Sequence, residues 1–215
     1  MIRVILCDDH ALTRRGVRDA LSEAPGIEVV GEASDYGSLR SLLRICPCDV
    51  LVLDINLPGR SGLDVLNALK DEASHVRTLM LSMYPEDQYA IRALKAGAHG
   101  YFNKAGDPND IVEALRTVAS GRKFITSNTA QMLVQSLTEP EQAAKHDRLS
   151  ARELQTLQMI ASGLRLSDIA EALTLSPKTV SVYRARILEK LGLNNNAELT
   201  VYAIRQGLVG NDPSA

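Results

Sequence analysis

The sequence contains few cysteines, and their arrangement argues against a disulfide framework. Its three cysteines are Cys7, Cys46 and Cys48, an odd number in which two are separated by a single residue. This spacing suits neither a set of disulfides nor a four-ligand zinc site, so we expect reduced thiols in a reducing compartment. The four histidines are scattered without metal-ligand spacing, and only His10 adjoins a group of acids.

Long apolar runs are also missing. Before the first pair of aspartates the N-terminal region offers only Val4 to Cys7, which is too short for the core of a secretory signal. No later stretch approaches the length that spans a membrane. We therefore expect a cytoplasmic protein with no membrane partner.

The composition is that of an ordinary globular protein. The chain has 215 residues, of which 45% are apolar and 23% are charged, and this length suits two modest domains. The net charge of -2 conceals an asymmetry: residues 1–121 hold 13 Lys and Arg against 17 Asp and Glu, whereas residues 148–215 hold 8 against 6. A mildly basic C-terminal part is weak support for nucleic-acid binding unless its charge is concentrated in one place.

Short β-rich runs alternate with longer helical segments up to about residue 121. This alternation is typical of five βα units around a parallel sheet. Apolar stripes predict the intervening helices, for example Leu12, Val17, Ala20 and Leu21 in the first, and the last helix is predicted to start at Pro108 and to end before Gly121. The predicted strands are Arg3 to Cys7, Ile27 to Glu32, Val50 to Leu53, Thr78 to Ser82 and Gly100 to Asn103.

Acidic residues close two of these strands. Asp8 and Asp9 follow the first, Asp54 follows the third, and Lys104 follows the fifth. Because the carboxyl ends of parallel strands share one edge of the sheet, we expect these four residues to meet in one pocket. Crowded carboxylates repel one another, and oxygen ligands of this kind suit Mg²⁺, which also accepts phosphate oxygens. The sequence therefore predicts a pocket for Mg²⁺ and a phosphoryl group.

The C-terminal part has a purely helical pattern. Residues 122–147 are predicted to hold one helix, Thr126 to Leu137, followed by a polar linker, so we expect domains at 1–121 and 148–215. A capping box at Ser150 opens the first of four short helices, and two of the four lie close enough to form a helix-turn-helix. The predicted fold is thus an α/β doubly wound five-stranded parallel sheet followed by an all-α domain of four helices.

Four motifs of residues 1–121 resemble the receiver domain of two-component response regulators, which has a flavodoxin-like fold. They are Cys7-Asp8-Asp9-His10, Asp54-Ile55-Asn56-Leu57-Pro58-Gly59, Leu81-Ser82-Met83 and the run from Ala96 to Tyr101 that leads to Lys104. The resemblance implies the strand order 2-1-3-4-5, for which one receiver is a known example. It also implies that the backbone carbonyl of Asn56 is a metal ligand. A further implication is that Tyr101 rotates inward when the hydroxyl residue Ser82 shifts, which changes the surface around the fourth helix and the fifth strand.

Chemistry alone suggests roles for the other pocket residues. Asp54 can act as a nucleophile that forms an acyl phosphate, while Asp8 and Asp9 hold the metal ion together with Asp54. Lys104 can pair with the phosphoryl oxygens, and Ser82 can donate a hydrogen bond to them. Taken singly, each residue has a simpler explanation as a helix cap, a turn acid or a solvated charge. Their joint placement at successive strand ends favours the pocket.

Residues 148–209 resemble the LuxR-type helix-turn-helix of the NarL/FixJ group, closest to its BvgA/GacA-like subset. The matching string includes Leu149 to Glu153, Ile160 to Gly163, Thr179-Val180-Ser181 and Lys190 to Leu193. Basic charge concentrates on residues 176–191, the predicted recognition helix, which fits the major groove of DNA. We expect Ser181, Val182 and Ala185 to face the bases, and Lys178, Thr179 and Arg184 to contact the backbone.

These features predict a response regulator transcription factor. A sensor histidine kinase would phosphorylate Asp54, and the changed receiver would control promoter DNA binding by a homodimer, with RNA polymerase as a further candidate partner. The protein would not be an enzyme beyond its own phosphorylation and dephosphorylation. Two alternatives stay open: a DNA-binding or scaffold protein that works without phosphorylation, and a Mg²⁺-dependent aspartyl phosphatase. A helical protein-interaction module is the simpler alternative for the C-terminal domain.

Overall fold

A computed structural model describes residues 1–72, 75–107, 110–138 and 144–209. Its chain divides into two compact units, Met1–Thr138 and Glu139–Ala215. The predicted helix start at Pro108 and residues 139–143 of the predicted linker lie outside the described residues. The finer domain boundaries at residues 121 and 147 stay predictions. Within the described ranges, no helix is long and apolar enough to cross a membrane.

The first unit contains a parallel sheet with the order β2-β1-β3-β4-β5, as predicted. Its strands are β1 Ile2–Cys7, β2 Ile27–Ala33, β3 Val50–Asp54, β4 Arg77–Ser82 and β5 Gly100–Asn103. The helices of this unit are α1 Ala11–Ser22, α2 Tyr36–Ile45, α3 Gly62–Glu72, α4 Glu86–Lys95, α5 Asp110–Ala119 and α6 Ser127–Thr138.

The sheet is covered on both faces, which explains why its central strand is a nearly continuous apolar run. All five residues of β3 are buried, as expected for a central parallel strand without a solvated face. One predicted apolar stripe is partly wrong, because Leu12 of α1 is 87% exposed while Leu21 is fully buried. Cys7, Cys46 and Cys48 are free thiols in this structure, and Cys7 and Cys48 are buried.

The segment after α5 continues the receiver sheet rather than leaving it. The Phe124 N–H donates to the His99 carbonyl at 2.8 Å, and Phe124 forms a parallel bridge with Gly100 of β5. Beyond this bridge, the hydroxyls of Thr126 and Thr129 both donate to the Glu86 carboxylate, which joins α6 to the first turn of α4. Residues 121–138 therefore belong structurally to the first unit.

An ion pair between β1 and the start of β3 gives this unit an acid-sensitive element. Arg3 holds Asp49 through Nη2 at 2.7 Å and Nε at 3.0 Å, and these contacts lower the pKa of Asp49 from 3.8 to about 2. Because that pKa is lowered, the contribution to stability exists above the unfolded value and is lost as the pH falls through the folded one.

We expect Asp49→Asn to lower Tm by a few degrees at neutral pH. The difference from wild type should shrink as the pH falls from about 5 to about 2, because the wild-type carboxylate then becomes protonated as well. Thermal melts across this range check the prediction. A difference that stays constant down to about pH 2 would contradict it.

Within its described residues, 144–209, the second unit contains a short 3-10 turn, Lys145–Arg148, and four helices. These are α7 Ala151–Ala161, α8 Leu166–Ala172, α9 Pro177–Leu191 and α10 Asn196–Arg205. The predicted capping box exists: the Ser150 hydroxyl accepts from the Glu153 N–H at 3.3 Å, and the Glu153 carboxylate accepts from the Ser150 N–H at 2.7 Å. Helix α9 begins with its N-cap at Ser176 and ends at Gly192 in the left-handed conformation.

The core of this unit includes apolar side chains from three of its helices. Leu154, Leu157 and Ile160 of α7 are buried, and so are Val180, Ile187 and Leu191 of α9. Leu199 and Ala203 place α10 against the same core. Because α9 buries only this stripe, its opposite face is available to solvent.

Candidate phosphorylation site and DNA interface

The predicted pocket residues converge at the carboxyl edge of the sheet. Asp8 follows β1, Asp54 ends β3, and Lys104 follows β5, and all three side chains are at most 5% exposed. Lys104 Nζ lies 2.7 Å from Asp8 Oδ2 and 3.0 Å from Asp54 Oδ2. One ammonium group therefore serves two buried carboxylates.

The electrostatics of the pocket favour a further cation. Burial raises the pKa of Asp54; Lys104 lowers it, and the neighbouring Asp8 raises it further. Asp9 stands at the exposed rim, where its carboxylate lies 2.9 Å from His10 Nδ1. Asp8, Asp9, His10 and Asp54 each place one ligand atom within 4.8 Å of the others. Three carboxylates exceed the charge of one lysine, and their oxygens suit a hard divalent ion such as Mg²⁺.

The backbone brings α3 close to the candidate pocket at the carboxyl edge of the sheet, and Gly62 makes this approach possible. The Gly62 N–H donates to the Ile55 carbonyl at 2.8 Å, directly after β3. A Cβ at position 62 would lie 2.0 Å from the Asp54 carbonyl oxygen. No side chain can therefore stand at this position without moving the turn that carries Asp54.

The residues predicted to respond to phosphorylation are joined through Tyr84. Ser82 is fully buried, and its hydroxyl accepts from the Tyr84 N–H at 3.0 Å. The Tyr101 hydroxyl donates to the Tyr84 carbonyl at 2.6 Å, and burial raises the pKa of this hydroxyl so that it stays a donor. Tyr101 is only 3% exposed, so its ring points inward in this structure.

Sequence reasoning missed two residues of this site. Tyr84 was not singled out, although it lies two positions after Ser82 and its ring stacks on Tyr89 at 4.7 Å. Arg14 was not singled out either, although its Nη1 donates to the backbone carbonyl of Asp8 at 2.6 Å. Both contacts use backbone groups, which side-chain patterns do not reveal. Asn56, whose backbone carbonyl is a predicted metal ligand, lies two residues after the end of β3.

Helix α9 presents most of the predicted DNA-contacting residues to solvent. Lys178, Ser181, Val182 and Ala185 are exposed on one face. The Ser181 hydroxyl donates to the Pro177 carbonyl at 2.9 Å, which leaves its oxygen as an acceptor.

Two further predicted contacts and one basic residue of α9 have partners within the second unit. Thr179 is half-buried, and its hydroxyl lies 2.8 Å from the N-cap Ser176 hydroxyl, whereas Arg184 Nε donates to the Asn196 side chain at 2.5 Å. Lys190 lies 2.6 Å from the Glu153 carboxylate. Part of the basic charge of α9 is thus engaged in contacts within the second unit.

The two units match two protein families. Residues 4–116 match the response regulator receiver domain, and residues 147–203 match the bacterial regulatory proteins of the luxR family. The chain therefore belongs to the response regulators, as a transcription factor that joins a receiver to a LuxR-type helix-turn-helix domain.

Particular relatives share nearly the whole chain. The response regulator UvrY of Escherichia coli strain K12 is 40% identical over 209 residues, which is 97% of this chain and 96% of that protein. The response regulator GacA of Pseudomonas protegens is 38% identical over 210 residues, 97% of this chain and 98% of that one. These matches confirm the predicted resemblance to the NarL/FixJ group and its GacA-like members.

A solved structure of RcsB from Salmonella enterica serovar Typhimurium and a second RcsB structure resemble the chain as well. RcsB bound to promoter rprA in the presence of the phosphomimetic BeF3- gives a TM-score of 0.64 at 26% identity, covering 94% of this chain and 97% of that one. A structure of two RcsB dimers bound to two parallel DNAs gives 0.58 at 28% identity, covering 94% and 98%.

Proposed function

We propose that Asp54 accepts a phosphoryl group from a sensor histidine kinase, and that this modification controls promoter binding by a homodimer. The observation that carries the proposal is the buried contact of one lysine, Lys104, with both Asp54 and Asp8. A carboxylate held beside an ammonium group is ready to attack phosphorus, and the same ammonium group can then pair with the phosphoryl oxygens. The reaction would be confined to the protein's own phosphorylation and dephosphorylation.

The transfer needs no other residue as nucleophile. An Asp54 oxygen forms the new bond to phosphorus, the bond from phosphorus to the donor nitrogen of the kinase histidine breaks, and its electron pair leaves with that nitrogen. Burial raises the pKa of Asp54, and the Lys104 ammonium group opposes this effect by favouring the ionised carboxylate. A phosphoryl group adds about two negative charges and three acceptor oxygens, for which Lys104 and Ser82 are the nearby donors.

Asp8, Asp9 and Asp54, together with the Asn56 carbonyl, would hold Mg²⁺. The carboxylate-rich set of ligand atoms within 4.8 Å fits this ion. When bound, Mg²⁺ supplies positive charge that offsets the phosphoryl oxygens. Asp8 is anchored for this task because its Oδ1 accepts from the His10 N–H at 2.8 Å.

Ser82 and Tyr101 would carry the change to the receiver surface. A phosphoryl oxygen that accepts the Ser82 hydroxyl hydrogen would draw the turn of residues 82–84 toward the pocket. Because Tyr101 is bonded to the Tyr84 carbonyl, it would follow this turn. Glu86, two residues later, binds Thr126 and Thr129, so the same displacement would reach α6.

The exposed face of α9 would enter the major groove, as recognition helices of helix-turn-helix domains do. The structure of RcsB bound to promoter rprA supports binding to promoter DNA. Two subunits would bind paired half-sites in the cytoplasm. The structure of RcsB dimers bound to DNA supports the dimer. Helix α10 is a reasonable contact between subunits, because Val201 and Ile204 are 47% and 48% exposed beside its buried residues. Each subunit would then present one recognition helix.

We expect Lys178→Ala to weaken binding about equally on every DNA sequence and to reduce the salt slope of log K by about one. The reason is that Lys178 is exposed at the first turn of α9, where a cation meets phosphate rather than a base edge. Binding titrations at several salt concentrations check this, with Lys95→Ala on α4 as a matched control. A loss of affinity restricted to one promoter would contradict it.

Incubation with acetyl phosphate and Mg²⁺, followed by intact mass and promoter binding, tests the proposed function. The wild type should gain the mass of one phosphoryl group only when Mg²⁺ is present, and its DNA affinity should change at the same time. Added mass with unchanged DNA affinity would preserve the chemistry and refute the coupling. Sustained hydrolysis of a generic phosphomonoester would instead favour a phosphatase.

A further inference from the structure

Arg14 connects the phosphorylation pocket to the edge of the sheet through a backbone contact. Its Nη1 donates to the Asp8 carbonyl at 2.6 Å, and its Nε donates to Glu32 Oε2 on β2 at 3.0 Å. The Arg14 side chain is only 20% exposed, so this geometry is partly shielded from water. A guanidinium group suits the position because it offers several donors in a fixed plane.

Hydrogen bonds hold both peptides that flank the Asp8 Cα. The Asp8 N–H of the Cys7-Asp8 peptide donates to the Ala33 carbonyl at 3.1 Å, while the carbonyl of the Asp8-Asp9 peptide accepts from Arg14. The orientation of this one peptide plane determines where the side chains of Asp8 and Asp9 leave the backbone. Fixing the plane therefore fixes two carboxylates of the candidate metal site at once.

We propose that Arg14 is a positioning residue that sets the Asp8-Asp9 peptide for binding of a divalent cation. The inference rests on the proposed function in that it assigns Asp8 and Asp9 to the metal. Arg14 touches neither the phosphoryl group nor the reacting atoms and acts through the Asp8 carbonyl. Outer groups that orient metal ligands typically change metal affinity by about 10- to 100-fold when they are removed.

Arg18 provides a control that distinguishes a positioning role of Arg14 from the effect of its charge. Arg18 Nη1 binds the other oxygen of the same carboxylate, Glu32 Oε1, at 3.0 Å. The structure records no contact of Arg18 with Asp8. Removing either arginine deletes one positive charge and one bond to Glu32, and by charge alone each deletion would tighten cation binding. Only the loss of Arg14 also frees the Asp8-Asp9 peptide, so the two deletions should shift affinity in opposite directions.

The experiment compares Arg14→Met with Arg18→Met in the full chain. Methionine keeps an unbranched apolar stem and removes the donors. After treatment with EDTA, MgCl₂ is titrated, and half-saturation is read from the rise in Tm and from phosphorylation by acetyl phosphate. We expect Arg14→Met to raise the half-saturating Mg²⁺ concentration about 10-fold, whereas Arg18→Met leaves it unchanged or lowers it.

Arg14→Lys provides a second measurement. Lysine offers one compact ammonium group in place of the planar guanidinium, whose donors bind the Asp8 carbonyl and Glu32 in a fixed geometry. We therefore expect about a threefold increase in the half-saturating concentration, between wild type and Arg14→Met. If Arg14→Met does not fold, Arg14→Lys tests the proposal by itself. A half-saturating Mg²⁺ concentration equal to that of the wild type would then overturn the proposal. An equal shift in Arg14→Met and Arg18→Met would also overturn it.

The two readouts keep this inference separate from the proposed function. If the wild type binds Mg²⁺ but gains no phosphoryl mass, the proposed function fails while the Tm titration still decides the role of Arg14. If the wild type is phosphorylated and Arg14→Met shows wild-type half-saturation by Tm, the role of Arg14 fails alone.

Discussion

Replacing Asp54 with asparagine is expected to abolish phosphorylation and to raise the thermal stability of the metal-free protein. The amide cannot form an acyl phosphate, so the added mass should disappear. Stability should rise because burial raises the pKa of Asp54, which means that the ionised carboxylate costs free energy in the folded state at neutral pH. In Asp54→Asn, Lys104 keeps its contact with Asp8 alone, so one cation faces one buried carboxylate.

The pH dependence of this gain has a definite sign. An acid whose folded pKa is raised loses stability as the pH rises through the unfolded value of 3.8 toward the folded one. The Tm advantage of Asp54→Asn should therefore be small in acid and grow to a few degrees at neutral pH. Melts in EDTA measure it, and Asp19→Asn on the exposed side of α1 is the control. An equal or lower Tm at neutral pH, or retained phosphoryl mass, would refute these expectations.

Replacing Lys104 with methionine is expected to lower the thermal stability, in contrast to Asp54→Asn. Asp8 and Asp54 would stay buried without the ammonium group that lies 2.7 Å and 3.0 Å from them. Breaking a buried ion pair in this way costs about 3–5 kcal/mol, which corresponds to a fall in Tm on the order of 10 °C. Phosphorylation should also weaken, because the phosphoryl oxygens lose their cationic partner.

Added Mg²⁺ should recover part of this loss, since the ion supplies positive charge to the same carboxylates. The double variant Lys104→Met and Asp54→Asn should recover more of the lost stability, because it leaves a single buried carboxylate. A double-mutant cycle in EDTA measures the coupling energy between the two positions. Lys95→Met on α4 is the matched control. Additive effects of Asp54→Asn and Lys104→Met would contradict the shared-cation arrangement.

The strand ends could be predicted from sequence because they depend on local patterns. Apolar runs that stop at Asp8, Asp54 and Ser82 mark the carboxyl edge of a parallel sheet, and the topology then brings these residues together. The same reasoning failed for Leu12, which has helical spacing but stands 87% exposed at the start of α1. Periodicity shows which face of a helix is apolar, but it does not show where the supporting sheet ends.

Contacts to the backbone could not be predicted, because no side-chain pattern encodes them. The bond from Arg14 to the Asp8 carbonyl and the bond from Tyr101 to the Tyr84 carbonyl both need the folded geometry. In the second unit, helical spacing placed Arg184 at the DNA backbone, but it did not reveal the contact with Asn196 on α10. The assigned roles of the pocket and DNA residues stay predictions until the variants are measured.

The bridge between Phe124 and Gly100 has a consequence for solubility. β5 is the last strand of the sheet, and an open edge offers unpaired N–H and C=O groups to any other extended chain. Gly100 allows Phe124 to approach closely, because a Cβ there would lie 3.0 Å from the Phe124 side chain. A receiver fragment cut at residue 121 would lose this cover together with α6. The segment that leads toward the DNA-binding unit thus also protects the receiver from edge-to-edge aggregation.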